Sequence, residues 1–336
     1  MDVLSDVVTA MRTGRPHSSR TRKHGRWGIR FAPFAGAGFH VVLQGSCWLP
    51  PRNGEPVQLG VGDVVCLPHG RGHGLADSPS TPLVDAGAAP ETGVPPSAPP
   101  AGSAADPSAS TVLLCGAYFL DQARPHPLLT ELPEFIHLPT RIGRQTALRT
   151  AIDLLGTELD QSGPGTDAVL AALLDMLLLY ALRAWYAEQG GSDASSGWAA
   201  ALADPVVRTA LEHMHRDPSR KWTLAGLART ANVSRATLAR RFTALAGQPP
   251  LAYLTWWRMT CAARRLRATD APLAAIASSC GYSSEFAFAK AFKREFGMAP
   301  GSYRQRGRAG ADACPGGPHS AVPPARPSPF DSGRLP

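Results

Sequence analysis

The sequence predicts an α+β protein with a β-rich N-terminal part, a helical region and an all-helical C-terminal domain. Residues 27–83 contain short apolar runs separated by Gly, Pro and Asn, a pattern typical of strands joined by turns. Residues 142–188 carry apolar side chains at helical spacing. Residues 205–306 contain an internal repeat, and both copies have a helical pattern. We therefore expect the strands to precede the helices along the chain.

The β-rich part is interrupted by a low-complexity segment. Strand-like runs occur at 38–43, 46–49 and 62–67, and strand character resumes at 111–119. Residues 85–110 consist largely of Ala, Pro, Gly and Ser, a composition that cannot bury a core. This segment is predicted to be a flexible insertion in a domain that spans residues 1–140.

The helical region is predicted over residues 141–190. Its run 168–186 is the most apolar of the chain but contains Asp175 and Arg183. These charges favour a buried or dimer-forming helix over a membrane span. The chain also begins without a signal-peptide pattern, and its six cysteines show no CxxC spacing. Both observations predict reduced thiols in a cytoplasm.

Positive charge is concentrated in the C-terminal third. The whole chain has a formal net charge of +8, yet residues 204–308 hold 18 Lys and Arg against 6 Asp and Glu. The rest of the chain is therefore slightly acidic. This asymmetry indicates a polyanion-binding domain joined to a domain with another task.

The basic domain is an internal duplication with the layout of two helix-turn-helix units. In each copy an apolar helix is followed by a turn at Asn232 or Gly281, residues that tolerate a left-handed backbone. Ser234 in the first copy, and Ser283 or Ser284 in the second, can cap the next helix. The copies align at an offset of 49 residues before the turn and 50 after it, through Leu224, Leu227, Ala228, Ala231, Asn232, Val233, Ser234, Leu238, Phe242, Gly247, Pro250 and Tyr253 of the first copy.

The second helix of each unit presents a polar or small face opposite its apolar face. Arg240 could form a forked contact with guanine, and Lys290 could contact guanine or phosphate. Phe286 is expected to point outward, where it could meet a thymine methyl group. Glu285 could accept a hydrogen bond from cytosine or simply compensate the helix N-terminus. Residues 251–268 predict a linker helix about 27 Å long, which would hold the two recognition helices about one DNA turn apart.

The same residues resemble a known family. GYSSEFAFAKAFKREFGMAPGSYR, from Gly281 to Arg304, is similar to the signature of AraC/XylS transcription regulators, and NVSRATLARRFTALAGQPPLAYL, from Asn232 to Leu254, resembles the first unit of that family. The resemblance implies base contacts from both recognition helices, with the first relying mainly on Arg240 because its neighbours are small. The candidate DNA-binding residues are Arg235, Ala236, Ala239, Arg240, Thr243, Ser284, Glu285, Phe286, Ala287, Ala289, Lys290 and Lys293.

The N-terminal part resembles a cupin β-barrel. Gly62, Pro68, Gly70 and His73 have the spacing G-x5-P-x-G-x2-H of the second cupin motif. The first motif lacks its usual His-x-His and Glu, and His40 is what remains of it. Three interpretations stay open, namely a metal-dependent enzyme, a ligand- or redox-sensing barrel, and a structural barrel that supports dimerisation. The candidate effector-pocket residues are His40, Cys47, Cys66 and His73, and the Cys115 thiol could also take part in sensing.

Together these features predict a sequence-specific DNA-binding transcription regulator, not an enzyme. A cupin-like barrel with a helical extension would precede an all-α domain at 200–306, where a linker helix joins the two helix-turn-helix units, and a disordered tail would span 307–336. The expected partners are double-stranded DNA, a second copy of the chain, a small-molecule or redox effector and RNA polymerase, without a membrane. No cofactor is expected to be required, although His40 and His73 could hold a divalent metal. A cytoplasmic, nucleoid-associated location is expected. The alternative is a cupin-type metal enzyme or redox protein with an accessory DNA-binding domain.

Overall fold

The fold of this chain is described from a computed structural model that covers residues 2–312 except 15, 51–53, 87–109, 122–123, 140–145, 162 and 191–196. The strands are β1 His17–His24, β2 Gly28–Phe31, β3 Gly36–Gln44, β4 Cys47–Leu49, β5 Val57–Leu59, β6 Val64–Leu67, β7 His73–Ala76, β8 Val84–Asp85, β9 Ser110–Phe119 and β10 Ile136–Leu138. The helices are α1 Val3–Met11, α2 Pro127–Thr130, α3 Thr146–Asp160, α4 Thr166–Gly190, α5 Gly197–Ala203, α6 Pro205–Arg216, α7 Leu224–Thr230, α8 Arg235–Ala246, α9 Pro250–Ala268, α10 Leu273–Ser279, α11 Glu285–Phe296 and α12 Pro300–Asp312.

The N-terminal domain consists of two five-stranded sheets that face each other. Their orders are β1-β9-β3-β6-β10 and β5-β4-β7-β2-β8. Between them lies an apolar core to which both sheets contribute, as Val65 and Leu75 do. The outer face of the first sheet is also covered, because α1, α3 and α4 pack on residues such as Phe39 and Tyr118. Burial on both faces explains why β3 is a nearly continuous run of buried residues instead of an alternating one.

The cupin-like motif forms the turns of this domain. Gly62 and Gly70 adopt positive φ angles of 86° and 56° at the two ends of β6, as tight turns require. His73 begins β7. The Asp77 carboxylate follows that strand and accepts a hydrogen bond of 3.0 Å from the backbone N–H of Trp27. The motif therefore connects β6 to β7 and helps to hold β7 beside β2.

The predicted helical region forms two packed helices. In α3, Leu148, Ile152 and Leu155 are buried as their spacing predicts. The stretch 166–189 in α4 is long and apolar enough to span a membrane by composition, and 33% of its most apolar window is buried in this chain. It packs against α3 and the first sheet.

The C-terminal domain contains the two predicted helix-turn-helix units, α7–α8 and α10–α11, joined by α9. Asn232 and Gly281 have φ angles of 52° and 81° at the two turns, as the sequence predicts. Ser234 caps α8 by accepting from the backbone N–H of Thr237 at 3.1 Å, and Ser284 caps α11 from Phe286 at 3.2 Å. The linker helix α9 has 19 residues, close to the expected length.

Several features differ from the expectations. The helix α1 and the polar strand β1 precede the first predicted strand. Helix α12 continues to Asp312, so the start of the predicted disordered tail is helical. Most of the predicted insertion at 85–110 and the remainder of the tail lie outside the described residues.

Two separate apolar cores support the two helix-turn-helix units. The core of the first unit is continuous with the helices and outer sheet face of the N-terminal domain, through residues such as Trp198 and Trp257. The second unit has its own core around Phe288, Phe292 and Met259. The partly buried side chain of Cys261 on α9 packs against both.

Candidate nucleic-acid interface

The first recognition helix, α8, presents an exposed polar face. Leu238 and Phe242 are fully buried on its inner side. The opposite side therefore faces solvent. Arg240 and Thr243 are exposed there, with Ala236 and Arg235 at the exposed N-terminal end, while Ala239 is half-buried.

The second recognition helix, α11, exposes a larger set of side chains. Phe288 and Phe292 are fully buried, whereas Phe286 is 80% exposed. This exposed ring lies on the face that the sequence assigns to DNA. Around it, Glu285, Ala287, Lys290 and Lys293 are exposed, and Ser284 and Ala289 are half-buried.

Several basic side chains on the two faces are free to meet an anion. Within the described part of the chain, no ion pair engages Arg240, Lys290 or Lys293. By contrast, Arg241 on α8 lies 3.5 Å from the Asp204 carboxylate at the start of α6. Three of the cations that the sequence assigns to DNA are therefore unpaired among the described residues.

The barrel brings His40 and His73 together. Their Nε2 atoms lie 2.6 Å apart, and His40 Nδ1 lies 3.0 Å from Cys115 Sγ. His73 Nδ1 lies 3.1 Å from the carbonyl oxygen of Arg71. These contacts assign one polarity, in which the Cys115 thiol donates to His40, His40 Nε2–H donates to His73, and His73 Nδ1–H donates to Arg71.

Both histidines are neutral in this arrangement. Burial, reinforced by the neighbouring His73, lowers the pKa of His40 well below its usual range. Burial also lowers the pKa of His73. His73 forms one wall of a cavity of about 510 Å³. The ring of Phe31 stacks on the His73 ring, with the two ring centroids 4.8 Å apart. The cavity is also lined by Arg30 and Asp85, whose side chains pair with each other at 3.2 Å.

The two cysteines predicted for the pocket do not join the histidine pair. Cys66 lies on the outer face of the first sheet, because it neighbours Val65 and successive strand residues point to opposite faces. Cys47 is buried between the sheets. The thiol that contacts His40 is Cys115, its cross-strand partner in β9. The residue pairing across β3 and β9 could have indicated this, but sequence alone does not give that register.

A metal in the barrel remains a prediction. Among the described residues, no group of three or more His, Cys, Asp or Glu side chains is placed to hold a metal ion. His40 and His73 supply two nitrogen atoms, and a zinc site of the usual kind needs three or four ligands.

The structure also joins the two domains through side chains that sequence analysis missed. The segment after β9 places Asp121 against Arg267 and Tyr303, and its Oδ2 accepts from the Tyr303 hydroxyl at 3.1 Å. Arg124 lies 3.0 Å from Glu295 at the end of α11. No local sequence pattern predicts these contacts, because their partners are distant in the chain.

Comparison with known proteins identifies both domains. A family model described as Cupin matches residues 2–187, and one described as Helix-turn-helix domain matches residues 227–306. A Streptomyces lividans protein named as an AraC-like transcription regulator is 40% identical over 309 residues, which cover 91% of this chain and 98% of that protein. The RCS-specific HTH-type transcriptional activator RclR of Escherichia coli is 32% identical over 272 residues, covering 80% of this chain and 84% of RclR. Among solved structures, the DNA-binding domain of AdpA in complex with a target DNA is 31% identical, with a TM-score of 0.31, and covers 33% of this chain and 98% of that chain.

The two family models confirm the predicted fold class, and the two full-length regulators confirm the predicted class of function. The full-length relatives are named as transcription regulators, which supports a regulator and not an enzyme. A DNA-binding regulator of this kind works on double-stranded DNA in the cytoplasm. The chain belongs to the AraC family of transcription regulators, with an N-terminal cupin domain followed by a helix-turn-helix DNA-binding domain.

Proposed function

We propose that the protein recognises an operator by placing α8 and α11 in neighbouring major-groove segments of one duplex face. The observation that carries this proposal is the exposed Phe286, beside the unpaired Lys290 on a helix whose other side is fully buried. Base contacts of the second unit would come from Phe286 to a thymine methyl group and from Lys290 to guanine. In the first unit Arg240 would form the main base contact. The second recognition helix, α11, would therefore make more base contacts than α8.

The supporting contacts to the DNA backbone come from neighbouring positions. Lys293 lies one turn beyond Lys290 on α11, and Arg235 lies at the start of α8. Such positions favour phosphate contacts, which set affinity and register without reading sequence.

We propose that the barrel binds a small molecule at the cavity beside His73. Redox sensing by the buried thiols has less support, because burial raises the pKa of Cys47, Cys66 and Cys115 to about 12. Thiols of such high pKa hold little of the thiolate that reacts with oxidants at neutral pH. We therefore expect the effector to be a neutral or apolar small molecule bound in the cavity, and not an oxidant that reacts with these thiols. RNA polymerase contact and association with the nucleoid are further parts of this proposal.

The interdomain contacts give an effector a route to the DNA-binding domain. Asp121 and Arg124 follow β9, the strand that carries Cys115. Arg124 lies over the rings of Trp256 in α9 and Phe296 in α11, at 5.8 and 5.4 Å from their centroids. A shift of β9 would therefore change the contacts of Arg124 with the linker helix and with the second recognition helix. Effectors act by such differential contacts between two states.

A buried chain of polar groups forms a second route. The His126 Nε2 and His215 Nε2 atoms lie 3.0 and 2.6 Å from the hydroxyl oxygen of Tyr253 in α9. His126 Nδ1 accepts from the backbone N–H of Leu128, so its Nε2–H donates to Tyr253, and the Tyr253 hydroxyl donates to His215. His215 Nδ1 then faces the Asp6 carboxylate at 3.4 Å. The chain joins α1 and the segment before α2 to the linker helix.

We propose that α3 and α4 form the homodimer surface. Val169 and Met176, 44% and 38% exposed, share one side of α4 with the exposed Ala172. Leu154 on α3 is 48% exposed. A second copy would cover this apolar surface. Met176→Glu is expected to convert a dimer to a monomer in analytical ultracentrifugation, whereas Gln58→Glu, at an exposed position of β5 in the second sheet, leaves the dimer intact.

Selection of bound sequences from a random duplex library tests the DNA assignment with the full chain. The wild type is expected to enrich a motif of two parts about one DNA turn apart. Arg240→Ala is expected to relax one part and Lys290→Ala the other, whereas Arg22→Ala, at an exposed position of β1, leaves both unchanged. Enrichment of no motif would overturn the proposal.

The effector assignment is tested separately by thermal unfolding in a panel of small apolar compounds. A compound that binds the folded state raises Tm. His73→Leu is expected to abolish that rise, whereas Lys290→Ala keeps it. A rise that His73→Leu leaves unchanged places the effector elsewhere.

A further inference from the structure

The two helix-turn-helix turns differ in what surrounds them. Asn232 and Gly281 occupy equivalent positions, and both adopt the left-handed backbone, at φ 52° and 81°. Asn tolerates this conformation. Backbone conformation alone therefore does not require Gly at position 281, and its surroundings must be considered.

Gly281 lies against two other segments of the DNA-binding domain. A Cβ atom at this position would lie 2.7 Å from the carbonyl oxygen of Ser219 and 2.9 Å from Nη2 of Arg258. Such distances are shorter than real Cβ contacts, and one of the neighbours is backbone. Gly297, which has a φ of 73°, has no such neighbour within 4 Å. The close approach is thus specific to the turn of the second unit.

Arg258 holds the segment that Gly281 approaches. Its Nε donates to the carbonyl oxygen of Pro218 at 2.7 Å, and its Nη2 donates to that of Arg220 at 2.8 Å. The planar guanidinium suits two acceptors at once, which a lysine ammonium does not reproduce. Residues 218–220 lead into α7, the first helix of the first unit. One side chain of the linker helix therefore fixes the entry of the first unit against the turn of the second.

This polar contact matters because the two units have different apolar cores. Leu238 of α8 belongs to the core shared with the N-terminal domain, and Phe288 of α11 belongs to the separate core. Their relative placement depends on α9 and on polar contacts beside it. The contact of Arg258, residues 218–220 and Gly281, hereafter the inter-unit junction, joins the entry of the first unit to the turn of the second.

We propose that the inter-unit junction sets the spacing of the two recognition helices, so that Arg258 determines how many base pairs may separate the two parts of the operator. This proposal rests on the proposed reading of DNA by both helices. One additional base pair moves a half-site by about 3.4 Å and about a tenth of a turn. A rigid junction penalises that change, and a loosened one tolerates it. Arg258 is a positioning residue, since no base contact is assigned to it.

The test measures binding of the full-length protein to three duplexes. One carries the two-part motif obtained by selection, and the others carry one base pair more or less between its parts. The wild type is expected to bind the altered duplexes about tenfold more weakly, a loss similar to that of a mismatched base pair. For Arg258→Met this difference is expected to fall below about threefold, with affinity for the first part alone unchanged. Arg258→Lys is expected to lie between the two.

A matched pair of glycine variants separates the junction from backbone strain. Gly281→Ala and Gly297→Ala both place a Cβ on a left-handed backbone, but only the first meets Ser219 and Arg258. Gly281→Ala is expected to change the spacing preference, and Gly297→Ala to keep it.

The outcomes distinguish the two levels of the proposal. A wild type without any spacing preference overturns the reading by two helices. A wild-type preference that Arg258→Met and Gly281→Ala both retain overturns the role of the junction. Equal weakening on all three duplexes, together with a lowered Tm, makes Arg258 a residue of folding only and also overturns it.

Discussion

The two helix-turn-helix units share a sequence pattern but are supported differently. The first is packed into a core that continues into the N-terminal domain, whereas the second has a core of its own. Polar side chains then connect the second unit to the rest, through Asp121, Arg124 and Arg258. Apolar cores are close-packed and adjust little. The difference indicates that the first unit is fixed by apolar packing, whereas the placement of the second unit is set by these polar contacts.

The strongest test of this comparison is to remove a buried ring from each core. Trp198→Ala and Phe292→Ala each remove a fully buried ring, and each is expected to lower the free energy of unfolding by about 3–5 kcal/mol. Trp198→Ala should increase amide hydrogen exchange in both the N-terminal domain and α7–α8. Phe292→Ala should increase it in α10–α12 alone. Equal increases across the whole chain after Phe292→Ala would show that the two cores are one cooperative unit.

Unequal reading of DNA is the next consequence. Arg240→Ala is expected to cost about 1–3 kcal/mol in operator binding and to blur one base position, if it makes a forked contact. On α11, Lys290→Ala should affect a position in the other half of the motif, where Phe286 keeps part of the discrimination. Competition binding with single-base operator variants measures both. Loss of discrimination at the same position in both variants would contradict the assignment of one helix to each half.

Buried histidines make the attachment of the first unit sensitive to acid. Burial lowers the pKa of His126 well below its usual range, with a further contribution from His215. Burial also lowers the pKa of His215, although Asp6 opposes this. The unfolded chain therefore binds more protons near pH 6, and stability is complete above about pH 6.5 and falls as the pH drops below it. Urea unfolding at a series of pH values measures this dependence.

A variant that cannot titrate isolates the contribution of His126. In His126→Asn the amide oxygen takes the position of Nδ1 and can accept from Leu128, and the side chain has no group that titrates in this range. The loss of stability between pH 7 and pH 5 is expected to be smaller in this variant than in the wild type. Identical pH dependence in the two proteins would show that His126 does not become protonated on unfolding in this range.

The local features of the helix-turn-helix units could be predicted from the sequence, because they depend on neighbouring residues. A serine before an apolar helix caps it, and a left-handed turn requires Asn or Gly, so Ser234, Asn232 and Gly281 behave as expected. Strand β1 was missed because its sequence HSSRTRKH has no apolar alternation; it is held by backbone pairing with β9. The pairing of His40 with Cys115 depends on strand register, and the contact of Arg124 with Glu295 joins different domains. Neither has a signal within a local sequence window.

The smallest expected effects concern the exposed cations. Lys293→Ala should weaken binding to all duplexes similarly, and it should reduce the slope of log affinity against log salt by about one, because one phosphate contact is lost. Arg124→Gln should leave that slope unchanged, since Arg124 faces Glu295 and not DNA. Its effect should appear instead as faster amide exchange in α11 and α12, by less than about tenfold, because a partly exposed ion pair contributes about 1 kcal/mol or less. If Arg124→Gln changes the salt slope and leaves exchange in the second unit untouched, the guanidinium faces DNA. The distinction between the two units would then lose one of the polar contacts on which it depends.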